Sequence, residues 1–467
     1  MTAIGIKINL RIIFKMKNAY LVLFVWLAFI ACSTGQTLNG SWEGELDVNT
    51  TKIPIVLHFS ESNGTLQVKA DSPNQGAFGI TGSAELVKED SILVSLQGGI
   101  KLHLKVIGGE EERLEGNFHQ SGMKLPVVFK RTAQSEEEEE MQNDALAYPY
   151  EDIEFINEFD EVKLSGTISF PKEDGNYPAV VLVSGSGAQN RDSEVHGHKI
   201  FKDLASYLNS QGIVVLRYDD RGVGESEGDF VQATIEDFSK DVLSALSFLK
   251  ERPMVDTSKV GIVGHSEGGL IAFLLAGQQL PDVKFIASLA GPTFTISELM
   301  VEQAYHLGKS SGMSKEQLET ARTINSKNFN LVKSDLSNEE TYQALIDNMQ
   351  GKVSPEMMKD LEVELSNMVL PGYRYFMRIE PQEFIRTIQV PVFAAFGGKD
   401  LQVPADINME KLKEVLPFRE ENTINNYPEL NHLFQKAKTG NPYEYGQLKG
   451  SIDQEVLSDL SSWIKGL

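Results

Sequence analysis

One serine in this 467-residue chain sits in a setting that makes nucleophilic chemistry plausible on residue types alone: Gly264-His265-Ser266-Glu267-Gly268. A serine hydroxyl attacks poorly until a base takes its proton, and the base needs an acid to hold its tautomer. G-x-S-x-G by itself is a weak signal. It gains meaning when a strand precedes it and a helix follows. The apolar run Val260 to Val263 reads as a buried strand, and Leu270 to Ala276 reads as a helix. The turn between them must be tight, so side chains at 264 and 268 would meet neighbouring backbone and the serine is held in a strained conformation. Its hydroxyl then stands at a helix N-terminus, where backbone N–H groups receive negative charge.

In this strand-to-helix arrangement the acid follows the nucleophile and the histidine comes last. Asp400 stands just past the apolar run Pro391 to Phe396, after Gly397-Gly398-Lys399. Beyond it the chain has a single histidine, His432, in Glu429-Leu430-Asn431-His432-Leu433-Phe434. His306 comes too early in the order, and His265 reads as packing on the turn, pointing elsewhere. Asp406 and Asp453 are the fallback acids. A tetrahedral intermediate needs two N–H donors. Glu267 supplies one from the residue after the nucleophile. The other comes from Ser184-Gly185-Ser186-Gly187, with Ser186 the first choice and Gly187 the second. His196-Gly197-His198 lacks acids at ligand spacing, so it reads as a cleft entrance; no metal and no cofactor is expected. Asp219-Asp220-Arg221-Gly222 reads as a structural turn.

These residues need a scaffold. Ile153 to Phe159 and Val162 to Phe170 read as an antiparallel lead-in hairpin. Ala179 to Val183, Ile213 to Arg217, Val260 to Val263, Phe285 to Leu289 and Val390 to Phe396 read as strands, with Glu421 to Tyr427 as a short last one. Helical patterns fall between them at Phe201 to Gln211, Ile235 to Lys250 and Ala405 to Val415, and a terminal helix spans Gln454 to Ile464. This alternation predicts a mostly parallel sheet with helices on both faces. Residues 295 to 388 interrupt it with helical, Met- and Gln-rich sequence, read as a cap over the carboxyl ends of the strands, where ligands bind in such sheets.

Residues 37 to 132 follow a different rule. Eight short runs alternate apolar and polar residues, broken by Gly, Asn and Asp, with no helical stretch: a small all-β barrel or sandwich. Its histidines, His58, His103 and His119, have no ligand spacing. Glu136 to Glu140 are five consecutive acids, so residues 133 to 147 read as a solvated linker ahead of the domain at 148 to 467. Residues 1 to 35 hold four of the 43 Lys and Arg and none of the 66 acids, and Lys15 and Lys17 precede the apolar run Ala19 to Ala31. This is the pattern of a signal peptide. Ile30-Ala31-Cys32 resembles a bacterial lipobox; the competing reading is ordinary cleavage near Gly35-Gln36. Either way a secreted, periplasmic or envelope-anchored protein is expected, with the membrane reached only through a lipid anchor. Cys32 is the one cysteine, so no internal disulfide forms. The net charge of −23 repels nucleic acid.

From Tyr148 onward the sequence resembles bacterial serine hydrolases of the α/β-hydrolase superfamily, in the esterase and serine-aminopeptidase-like branch. The resemblance is carried by Gly185-Ser186-Gly187 with Gln189-Asn190-Arg191-Asp192, by Asp220-Arg221-Gly222-Val223-Gly224, and by Gly264-His265-Ser266-Glu267-Gly268. It continues in Tyr373-Arg374-Tyr375-Phe376, Gly398-Lys399-Asp400-Leu401-Gln402-Val403-Pro404 and Asn431-His432-Leu433-Phe434-Gln435. It implies a carboxylesterase with Ser266, Asp400 and His432 as triad. Short-chain esters are the expected substrates, and the envelope location alone suggests acyl groups on glycans. Many relatives have proline where Ala188 stands and His-Gly where Ser184-Gly185 stands. Two other functions fit the sequence: a peptidase of the aminopeptidase or prolyl type, with Glu298 and Glu302 receiving a substrate amine, and a binding protein whose front module does the work. Oligomeric state is not legible.

Overall fold

The computed structural model describes residues 38–131, apart from position 39 and short turn segments, and residues 148–467, apart from residue 354. The segment expected to be a signal peptide, Cys32 and the acidic run lie outside the described residues. The described residues form two compact units, one within 1–133 and one within 134–467.

The first unit is a closed barrel of eight antiparallel strands, β1 (Gly40–Val48), β2 (Thr51–Ser62), β3 (Thr65–Ser72), β4 (Ala77–Lys88), β5 (Ser91–Leu96), β6 (Ile100–Ile107), β7 (Arg113–Gln120) and β8 (Met123–Arg131). Each strand pairs with the next. β8 returns to β1 in the register Trp42 to Arg131 and Gly44 to Phe129. The period-two pattern is the cause: along β5 every second residue, Ile92, Val94 and Leu96, is buried. An eight-stranded barrel encloses a space that its own side chains can fill or that can hold one small ligand. Here Trp42, Leu57, Leu102, Leu114 and Phe129 fill it. The barrel, rather than the sandwich, is therefore the form taken. Of its histidines, His103 and His119 meet ring edge to ring face on the outside of adjacent strands, with centroids 5.1 Å apart.

The second unit is built on an eight-stranded sheet in the order β18-β17-β16-β15-β11-β14-β10-β9. β9 (Tyr150–Ile156) and β10 (Lys163–Ser169) are the antiparallel lead-in. β11 (Tyr177–Val183), β14 (Val214–Tyr218), β15 (Val255–His265), β16 (Phe285–Leu289), β17 (Val392–Gly397) and β18 (Thr423–Tyr427) run parallel. Ala179, Val181 and Val183 of β11 face one core and Val180 and Leu182 the other, so β11 is buried on both sides. On the first face pack α2 (Ile235–Lys250) and α3 (Glu267–Gly277); on the second packs α1 (Ile200–Ser210), with the terminal helix α11 (Gln454–Gly466).

From β11 the chain goes to β14 on one side and then crosses to β15 on the other. Ligands bind in such sheets where the winding reverses, beyond the carboxyl ends of the strands. Val183 and Gly264 are in register, so the loops leaving β11 and β15 start side by side.

Between β16 and β17 lie six helices among the described residues: α4 (Ile296–Ser310), α5 (Lys315–Val332), α6 (Asn338–Met349), α7 (Pro355–Asn367), α8 (Pro371–Met377) and α9 (Pro381–Ile385). Ser314 and Ser337 cap α5 and α6, each accepting a hydrogen bond from the backbone N–H three residues on. Arg374 is buried and donates to the carbonyls of Val332, Ser334 and Leu336 and to Asn338 Oδ1, tying the end of α5 to the start of α6. A 3₁₀ turn at Pro442–Gln447 and the short hairpin β12 (Glu194–Val195) and β13 (His198–Lys199) complete the unit, with α10 (Ala405–Val415) before β18.

Candidate active site

Ser266 follows β15 directly and begins α3 in the left-handed region, with φ of 54°. The glycines around it are required by close approach. A Cβ at Gly264 would lie 2.0 Å from the carbonyl oxygen of Gly268, and one at Gly268 would lie 2.0 Å from that of Val183. A turn this tight keeps the serine at the carboxyl end of a central strand, half-exposed, with its own N–H bonded to the carbonyl of Leu289 at 2.8 Å.

Asp400 and His432 are brought together and buried. His432 Nδ1 lies 2.7 Å from Asp400 Oδ2, while Asp400 Oδ1 accepts the backbone N–H groups of Gln402 at 2.8 Å and Val403 at 2.9 Å. The carboxylate is thus fixed by the turn after β17 before it meets the histidine. The histidine loop is fixed in turn by Asn431, whose Oδ1 accepts from the N–H groups of Leu433 and Gln435. It is pressed against Gly397, where a Cβ would sit 2.5 Å from the carbonyl of Asn431. Tyr445 is buried nearby: its hydroxyl accepts from Gln402 Nε2 at 3.1 Å, and burial, then the charge of Asp400, pushes its pKa well up. The fallback acids are elsewhere. Asp406 is exposed, and Asp453 caps α11 and pairs with Lys436.

His265 does more than pack. Its Nε2 lies 2.8 Å from the carbonyl oxygen of His432, with ring centroids 4.8 Å apart. Burial, then the neighbouring His432, lowers its pKa to about 3, so the ring is neutral and Nε2 carries the proton that it donates. The residue beside Ser266 therefore holds the backbone of His432. Sequence position alone did not reveal this, because the partner is 167 residues away.

The loop after β11 reaches the same place. A Cβ on Gly185 would lie 3.2 Å from Ser266 Cβ. Ser186 and Gly187 are exposed, Gly187 with φ of 92°. Ser186 Oγ donates to Glu267 Oε2 at 3.1 Å, so the two residues chosen as oxyanion donors are joined through their side chains. Among the described residues no acceptor takes the Ser186, Gly187 or Glu267 backbone N–H. Burial raises the Glu267 carboxyl above its ordinary range.

The turn after β14 divides its work among three adjacent buried residues. Asp219 grips Arg191, accepting from its backbone N–H and its guanidinium, both at 2.7 Å. Asp220 grips Ser184 Oγ at 2.6 Å and the Gln189 N–H at 2.9 Å. Arg221 forms a forked pair with Asp241 of α2. The turn is structural, and what it holds is the loop after β11, where the sequence places the expected oxyanion donors. His196 and His198 pack on Tyr445, His198 through its Nε2 to the Tyr445 carbonyl at 2.9 Å. No group of three or more His, Cys, Asp or Glu could hold a metal ion among the described residues. In the cap, Glu302 is taken up by Arg322, whose Nη2 reaches both of its carboxylate oxygens.

A parallel sheet wound in two directions, a serine on a strand-to-helix turn and a buried histidine–aspartate pair define an α/β-hydrolase. The family described as serine aminopeptidase, S33 matches residues 195–435, and the chain belongs to that family. The match takes in Ser266, Asp400 and His432 and stops short of Ser186 and Gly187. Esterase EstD of Thermotoga maritima is 30% identical over 306 residues, which cover 64% of this chain and 65% of the esterase. A polyketide transferase of Aspergillus fumigatus is 34% identical over 105 residues, 21% of this chain and 32% of the transferase. The chain thus spans less than two thirds of the length of either relative. Among solved structures, the α/β hydrolase GrgF of Penicillium sp. sh18 aligns at 19% identity with a TM-score of 0.43, over 68% of this chain and 98% of that one. An esterase of Pyrococcus furiosus aligns at 16% identity with a TM-score of 0.43, over 72% and 96%.

Proposed function

We propose that the chain is a carboxylesterase of the serine hydrolase type, cleaving short-chain acyl esters through a Ser266-His432-Asp400 triad. The observation that carries the reading is the linkage of the elbow to the base: Ser266 in the left-handed region, and His265 beside it bonded to the backbone of the His432 that Asp400 holds. In this mechanism Ser266 Oγ attacks the ester carbonyl as His432 Nε2 takes its proton. The oxyanion is received by the N–H groups of Glu267 and of Ser186 or Gly187. His432 then returns the proton to the leaving alkoxide. The acyl-enzyme is released by a water that His432 activates in the same way. Asp400 keeps the imidazole proton on Nδ1 throughout.

The peptidase reading draws support from the family's description. Against it, Glu302, one of the two acids suited to a substrate amine, is already paired with Arg322. Export to the periplasm or cell envelope belongs to the same proposal and rests on residues 1 to 35; acylated glycans as substrate rest on that location. The test is hydrolysis of a panel of p-nitrophenyl acyl esters and aminoacyl p-nitroanilides, beside Ser266→Ala. Ester turnover that the variant loses supports the reading. Faster anilide turnover moves the chain to the peptidases, and turnover that survives the substitution removes Ser266 from the chemistry.

A further inference from the structure

The oxyanion loop has little of its own to hold it in place. Ser186, Gly187 and Ala188 are exposed, and Gly187 adopts a positive φ. Two carboxyl groups flank it. Glu267 of α3 receives Ser186 Oγ from beside the nucleophile. Asp220, buried beneath the loop at the end of β14, receives the side chain of Ser184 at its start and the backbone N–H of Gln189 at its end. The Asp220 backbone N–H in turn donates to the Gln189 carbonyl at 3.1 Å. The loop from 184 to 189 is closed at both ends on one residue.

We propose that Asp220 is a positioning residue for the oxyanion hole, its carboxyl group setting the height of the Ser186 and Gly187 N–H groups over Ser266. The inference rests on the acyl-transfer reading above and extends it to a residue that touches neither the substrate nor the triad. The contact with the nucleophile is already close, since Gly185 leaves only 3.2 Å between an added Cβ and Ser266 Cβ. Misplacing a donor by about 1 Å costs on the order of a hundredfold in rate.

Burial favours the neutral form of Asp220, against its own two hydrogen bonds. Burial, partly offset by Ser184 and Gln189, with Glu267 of α3 and Asp241 of α2 adding to it, raises its pKa to about 7. Asp241 is itself engaged by Arg221 and by Asn157 Nδ2. The clamp survives this titration. The carboxylate accepts both hydrogen bonds; the acid accepts from Gln189 and donates to Ser184 Oγ, whose hydroxyl turns to receive it. Asparagine reproduces the second arrangement, and alanine reproduces neither.

The test compares wild type with Asp220→Ala, Asp220→Asn and Ser184→Ala on p-nitrophenyl acetate, together with hydrogen–deuterium exchange of the full chain. Asp220→Ala is expected to lower kcat by about 30- to 100-fold with KM within about threefold of wild type, because the lost interaction acts on the transition state. Asp220→Asn is expected to recover part of that loss, to within about tenfold of wild type, and Ser184→Ala to lose a similar amount. Exchange at residues 184 to 191 should quicken in Asp220→Ala and leave β11 and β15 unchanged. A kcat within twofold of wild type in Asp220→Ala, asparagine no better than alanine, or no change in exchange at 184 to 191 overturns the proposal. Should Asp220→Ala fail to fold, Ser184→Ala decides by the same readouts. Should wild type hydrolyse no ester and take no fluorophosphonate at Ser266, the reaction is wrong, and exchange still decides whether Asp220 fastens the loop.

Discussion

His265 donates its Nε2 proton to the carbonyl oxygen of His432, and this one bond of 2.8 Å joins the Ser266 turn to the His432 loop. The joint is made of buried parts on both sides, so its geometry passes from β15 to the histidine loop with little slack. It also leaves His432 free to use both ring nitrogens, since only its backbone is engaged.

Replacing His265 therefore affects turnover without touching substrate. His265→Gln keeps an N–H donor near the position of Nε2, whereas His265→Ala leaves the buried carbonyl of His432 unpaired, at a cost of about 1–3 kcal/mol. Steady-state kinetics should show the glutamine variant well above the alanine variant in kcat. Equal activity in the two would remove the bond from the account.

Stability should carry the mark of the same residue. The folded pKa of His265, about 3, lies below its ordinary 6.5, so between these values the unfolded chain binds a proton that the folded chain refuses. Stability therefore rises with pH across that window and is lost as pH falls through it, at up to about 1.4 kcal/mol per pH unit. Thermal melts of wild type and His265→Gln across this acid range should diverge in slope, with the variant flatter. Parallel curves would refute the assignment.

Asp400→Asn keeps the oxygen that accepts from Gln402 and Val403 and loses the one that fixes the His432 proton on Nδ1. Ester turnover is expected to fall about a thousandfold or more, with KM little changed and the fold intact. Circular dichroism beside kinetics separates the two effects; a mild loss would assign the acid elsewhere.

Ser266 stores strain, and that can be read without any substrate. Ser266→Gly and Ser266→Ala both lack the hydroxyl, but only glycine is at ease with φ of 54°. The glycine variant should be the more stable by about 1 kcal/mol, reversing the usual order of the two residues. Urea midpoints give the comparison, and an alanine variant equal or superior in stability would mean that the turn is relaxed.

Much of this was legible in the sequence because the relevant signals are local. The alternation in β1 to β8, the two-faced apolar run of β11 and the approach of Gly264 to Gly268 each act within a few residues. The pairing of Asp400 with His432 was legible for another reason: chain order leaves few candidates. Position on the chain did not show that Asp219, Asp220 and Arg221, three neighbours in one turn, bind Arg191, Ser184 and Asp241 respectively. Nor did it show that His265 bonds to a residue 167 positions away. Such partners are set by which strand ends lie adjacent, and pattern along the chain carries no record of that. The choice of barrel over sandwich was hidden for the same reason, since it depends on β1 meeting β8.

That meeting has a consequence for how the front unit can be handled. Because the first and last strands pair with one another through Trp42, Glu43 and Gly44, the described strands close into a ring and neither β1 nor β8 is left as an edge strand along that pairing. It behaves as a sealed cassette. Its turns can be lengthened or exchanged one at a time, while trimming inward from either end unzips two neighbours at once.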